Sequence, residues 1–153
     1  MKNKTIFILL IIFFIQNKIT LAQDYPLASW IGSDTKNYTS ANRTREDIKK
    51  IVIHATSVEN LQSTIEWFTH ENLKHVSAHY VIDKDGTSYQ FVLEKDVAHH
   101  ATSREYNKIS IGIELVGDHM HNPNYMTDKM YSSLAGLVSQ ICQKYNIPMD
   151  RKL

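Results

Sequence analysis

The chain holds a single cysteine, Cys142, in 153 residues, so no internal disulfide can staple it and its fold must be held by burial. Cys142 itself falls on a helical apolar pattern and reads as a small buried hydrophobe. Charge of either sign is not in excess. Seventeen Lys and Arg stand against sixteen Asp and Glu, a formal net charge of +1, which removes the electrostatic basis for a nucleic-acid or anionic-membrane partner. Internal repeats and low-complexity tracts are absent, and neither His-Glu-x-x-His nor Cys-x-x-Cys occurs, so no local spacing marks a zinc site. The long apolar run at the start, Ile6 to Ile15, falls short of the roughly 20 residues that cross a bilayer.

That run has the anatomy of a secretory signal. Lys2 and Lys4 form a basic start, the apolar stretch follows, and Thr20 and Ala22 are the small residues that a signal peptidase accepts just before its cut. Export to a periplasm or the exterior is expected, with no stable membrane insertion once residues 1–22 are removed. The remainder is enough for one domain and too little for two. Residues 23–45 are polar and turn-rich and read as a lead-in; residues 46–153 carry the domain.

Within it, Lys50-Ile51-Val52-Ile53-His54 is a β-branched run ending on a histidine, with Ser57 available to cap a following helix. Leu61, Ile65 and Phe68 recur at helical spacing, which predicts an amphipathic helix over 58–72 packed on a sheet. Tyr80-Val81-Ile82 and Tyr89-Gln90-Phe91-Val92 flank Asp85-Gly86, the turn chemistry of an antiparallel hairpin. Ile109 to Leu115 alternates, with isoleucines and Leu115 towards a core and Ser110, Gly112 and Glu114 on a spare face. Met130, Leu134, Leu137, Val138, Ile141 and Tyr145 predict a long last helix, ended by Asn146 and Pro148. The fold class is α/β: a mixed central sheet with helices packed on it.

Eight histidines are present, and most histidines in a protein are surface or hydrogen-bonded residues. Two positions stand out by context. His54 closes a strand read as buried, opposite Ile51 and Ile53, where a neutral imidazole can bind zinc. Glu114 lies on the spare face near Gly112, whose missing side chain leaves room for substrate or water. A sheltered carboxylate has its pKa raised towards the working pH and suits a general base; the plain alternative is a solvated glutamate.

Ile51-Val52-Ile53-His54-Ala55-Thr56, Val76-Ser77-Ala78-His79-Tyr80-Val81-Ile82, Asp85-Gly86-Thr87, Ala98-His99-His100-Ala101 and Ser110-Ile111-Gly112-Ile113-Glu114-Leu115 occur in the order and spacing of one family. Together they resemble the type 2 zinc-dependent N-acetylmuramoyl-L-alanine amidases, relatives of phage lysozyme-like amidases and peptidoglycan recognition proteins. The resemblance spans residues 50 to about 148. It implies hydrolysis of the amide between N-acetylmuramic acid and L-alanine of the stem peptide, in peptidoglycan or muropeptides, by a zinc-activated water. On it, His54 matches the first zinc ligand and Glu114 the general base. His100 and Asn107 are expected to bind substrate, with His99 standing for the family's tryptophan and Thr102 for its glycine. His79 matches a recurrent histidine with a structural hydrogen-bonding role. The family's remaining zinc ligands follow a further strand after the last helix, in a Gly-His block and then an Asp or Cys. The sequence to Leu153 holds neither, so the resemblance puts the other Zn2+ ligands beyond Leu153 and leaves the amidase-like domain incomplete at its C-terminus. Two further readings remain: a non-catalytic muropeptide-binding module and an inactive truncated product. Glu114 favours the enzyme, since a pure binder needs no base.

Export is directly testable. N-terminal sequencing of protein from an envelope or secreted fraction should begin near Gln23; a cytosolic chain starting at Met1 would contradict it.

Overall fold

Residues 110–115 alternate apolar with polar or small side chains, and they pair in register, as parallel neighbours, with the β-branched run at 50–55. The computed structural model describes residues 23–149, so the signal segment proposed over 1–22 lies outside the described residues. The strands are β1 (Ala28–Trp30), β2 (Tyr38–Thr39), β3 (Lys50–Ala55), β4 (Tyr80–Ile82), β5 (Ser88–Gln90), β6 (Val97–Ala98) and β7 (Ser110–Leu115). The helices are α1 (Leu61–Thr69), α2 (Arg104–Ile109) and α3 (Asp128–Tyr145). Five strands form one sheet in the order β1-β5-β4-β7-β3, and β2 and β6 form a separate antiparallel pair. Within the large sheet β4 and β5 are antiparallel while β1/β5, β4/β7 and β3/β7 are parallel, the mixed α/β architecture expected.

The two sheet faces have different cores. Ile111, Ile113 and Leu115 of β7 and Tyr80 and Ile82 of β4 pack with Met130, Leu137 and Ile141 of α3. Val81 on the other face packs with Phe68 of α1, Phe91, Ala98 and Val116. The long helix starts where Thr127 Oγ1 accepts from the Met130 amide. It ends at Asn146, whose left-handed backbone lets its amide reach the Cys142 carbonyl. Cys142 is buried on this helix, as its pattern indicated.

Several local expectations are corrected. The cap of α1 is Asn60, whose Oδ1 accepts from the Ser63 amide; Ser57 instead adopts a positive φ of 58°. Consequently the helix is shorter than 58–72. Ile109 closes α2, so the alternating strand starts at Ser110. β3 is not a buried strand. Among the described residues it has one neighbour, β7, and Ile53 is 48% exposed. The turn-rich segment 23–45 carries β1 and β2, each too short to show a period.

That segment is also anchored by charge. Asp24 accepts from the Gln90 side chain, the Glu94 amide and Lys144 Nζ. Glu94, 1% exposed, accepts from Tyr80 Oη at 2.7 Å and from Lys144 Nζ and Tyr145 Oη at 2.6 Å each. One carboxylate thus ties β4 to the end of α3. Removing one partner of such a cluster strands the others without water. Glu94→Ala should lower the unfolding free energy by about 3 kcal/mol in urea titrations; a loss below about 0.5 kcal/mol would show the cluster to be energetically idle.

Candidate active site

In-register pairing of β3 with β7 sets His54 beside Glu114, and Val52 beside Gly112. Paired residues on adjacent strands point to the same side, so both candidate side chains share the face away from α3. They lie at the carboxyl ends of parallel strands, next to the loops where ligands are usually presented. Thr56 Oγ1 accepts from the Gly117 amide and donates to the Val58 carbonyl, fastening the two strand exits together.

The face named as spare is not empty. A Cβ built on Gly112 would stand 2.3 Å from Cγ of His100, far inside van der Waals contact. The space that glycine leaves is therefore filled by the His100 ring, not by substrate or water. Its Nδ1 lies 3.1 Å from His54 Nε2, and its Nε2 lies 3.0 Å from Ser110 Oγ. Burial, reinforced by His54 and Arg43, pushes the His100 pKa down to about 3, so the ring is neutral. Burial also lowers the pKa of His54.

Glu114 is the one strongly perturbed acid of this face. Burial raises its carboxyl from 4.5 to about 7, and its Oε2 is buried without a hydrogen-bond partner. An unpartnered buried carboxylate oxygen is costly and calls for a functional account. Among the described residues, no three His, Cys, Asp or Glu side chains converge as metal ligands would. The donor chemistry suits zinc at one point: a neutral, half-buried imidazole at His54, next to a carboxylate that makes no competing ion pair.

The other named residues are each held by hydrogen bonds, and Asn107 also lines the groove described below. Asn107 is buried, its Oδ1 accepting from the Ala101 amide at 2.8 Å and its Nδ2 donating to the Ala101 carbonyl at 3.0 Å. It holds the 99–102 loop by both ends of its amide. His79 is fully buried, with Nδ1 accepting from the Gly112 amide at 3.0 Å and Nε2 set 3.2 Å from the Asp96 carbonyl. Burial first, then Arg43 and His100, keep its pKa well below the usual value. His99 donates from Nδ1 to the His75 carbonyl at 2.8 Å and accepts at Nε2 from Thr39, so its ring is spent on the loop. A groove of about 1330 Å³ runs along the far side of this loop, past Arg43, His75, His99 and Thr102; His54, His100 and Glu114 do not line it. Ser110 was the residue that sequence reading passed over. Its strand position was visible, but not the ring that meets it.

The profile of the family described as N-acetylmuramoyl-L-alanine amidase (Amidase_2) matches residues 44–153, well over half of the chain. The chain belongs to that family. Its members are peptidoglycan amidases, and the protein is an enzyme of the cell wall in that sense. Solved structures share the fold. The N-acetylmuramoyl-L-alanine amidase LysC from Clostridium intestinale URNW is 24% identical, with a TM-score of 0.59 over 80% of this chain and 79% of that one. PlyL is 19% identical, with a TM-score of 0.62 over 79% and 76%. A selenomethionine derivative of AmpD is 24% identical, with a TM-score of 0.54 over 84% and 87%. No curated protein sequence matches the chain. Among the described residues, no helix is long and apolar enough to cross a membrane.

The fit at position 112 gives a test. Gly112→Ala must expel the His100 ring or bend β7, and such overpacking costs about 1–3 kcal/mol. Chemical denaturation should show that loss; unchanged stability would mean that the ring does not occupy the glycine's space.

Proposed function

We propose that the amidase cleaves the bond between the lactyl group of N-acetylmuramic acid and L-alanine in exported peptidoglycan or muropeptides, with His54 as a zinc ligand and Glu114 as general base. The observation that carries this reading is the Glu114 carboxyl, sheltered, unpartnered and poised near pH 7 beside a neutral imidazole. Zn2+ held by His54, with its other ligands from outside residues 23–149, would supply the Lewis acidity that activates a water. The chain's own part is proton management. Glu114 Oε2 takes the proton from the attacking water and passes it to the departing alanine nitrogen, while the strand pairing keeps it beside His54. His100, packed between His54 and Gly112, and Asn107, which fixes the backbone of the 99–102 loop, form the substrate-binding side of this site.

Glu114→Gln, nearly isosteric, should keep fold and zinc but lose about 10²–10⁴-fold in turnover, because an amide cannot accept the proton. His54→Ala should lose both zinc and turnover. Amine release from purified muropeptide, run beside zinc content, reads both. Full activity of Glu114→Gln would remove it from the mechanism, and muropeptide binding without cleavage would favour a recognition module. Glu114→Gln also has a signature in the metal-free protein. The folded pKa of about 7 exceeds the unfolded 4.5, so Glu114 favours folding fully below pH 4.5, and that contribution is lost as pH rises through about 7. The glutamine variant should lack this fall in stability.

A further inference from the structure

His54 can present a lone pair at either ring nitrogen, and a ligand needs one tautomer held in place. The chain of contacts behind the ring decides which. Ser110 Oγ is 2.5 Å from the Tyr106 carbonyl oxygen, a separation that two oxygens tolerate only with a hydrogen between them. The serine has one hydrogen, and it is committed to that carbonyl. At 3.0 Å from Ser110 Oγ, His100 Nε2 must then be the donor. A neutral ring that carries its hydrogen on Nε2 has a bare Nδ1, and Nδ1 is the atom that faces His54 Nε2 at 3.1 Å. His54 Nε2 is in turn the donor.

We infer that Ser110 and His100 are positioning residues, which lock His54 as its Nε2–H tautomer and leave Nδ1 as the lone pair offered to a metal ion. Hydrogen bonds run one way along the relay: His54 Nε2–H to His100 Nδ1, His100 Nε2–H to Ser110 Oγ, Ser110 Oγ–H to the carbonyl at the end of α2. Among the described residues His54 contacts His100 through Nε2, and no hydrogen bond involves its Nδ1. The His100 ring lies against Gly112, whose missing side chain leaves the volume that it fills. The sequence makes the same point in reverse: a side chain at 112 would remove the ring, and a side chain without a hydroxyl at 110 would release its proton.

The proposal rests on the reading of His54 as a zinc ligand, but its test does not use zinc. Long-range 1H–15N correlation spectra of the imidazoles in the metal-free full chain at neutral pH report each tautomer directly. His54 and His100 should both be protonated at Nε2 and bare at Nδ1. His100→Phe keeps a ring in the Gly112 space and removes the acceptor, and should turn His54 into a mixture of tautomers. Ser110→Ala should do the same through His100, whereas Ser110→Thr, which keeps the hydroxyl, should restore the single form. A wild-type His54 protonated at Nδ1 would overturn the proposal, and so would a His54 spectrum unchanged in both His100→Phe and Ser110→Ala. Failure of the zinc reading would look different: the relay intact in these spectra, with no zinc-dependent amine release in the assay of Glu114.

Discussion

The His100 ring occupies the volume that a side chain at position 112 would need, and the geometry of the site follows from that substitution of one residue's space by another's. Because the ring sits on β7, it meets both Ser110, two residues earlier on the same face, and His54 on the next strand. The in-register pairing of β3 and β7 then brings Glu114 to the same place. One glycine in a strand usually weakens it. Here the loss is offset by a packed ring with hydrogen bonds at both nitrogens.

The loop that delivers the ring is held independently of the site. Asn107 grips Ala101 from below, His99 reaches the His75 carbonyl and Thr39, and the Arg43 guanidinium donates to the carbonyls of Asn107, Lys108 and Ser110. Rigid support of this kind matters because a general base and a metal ligand work only within fractions of an ångström of their positions. On the opposite face, α3 and the Glu94 cluster provide the fixed platform.

Much of the fold was legible because it is written in periods. The alternation of 110–115, the Asp85-Gly86 turn and the apolar stripe of α3 each specify an element without reference to the rest of the chain. Elements of two or three residues, β1, β2 and β6, have no period to read and exist because a neighbouring strand offers hydrogen bonds. α2, six residues long, is likewise set by the Ser103 cap and its packing rather than by an apolar stripe. The edge position of β3 is not written in its sequence, because Ile51 and Ile53 look alike although, among the described residues, only one side of that strand has a partner.

The sequence by itself determined the fold class, the family and the two residues of chemical interest, His54 and Glu114, since strand patterning and motif order are local properties. It also determined that the one cysteine has no second cysteine in these 153 residues to pair with. Only the tertiary structure decided what those residues experience. Burial of Glu114 without a partner, the neutrality of His100, the filling of the Gly112 space and the direction of the Ser110–His100–His54 hydrogen bonds depend on atoms brought together from distant segments, His54 and His100 being 46 residues apart in the chain. Desolvation and hydrogen-bond polarity are properties of a packed neighbourhood, and no one-dimensional pattern encodes them.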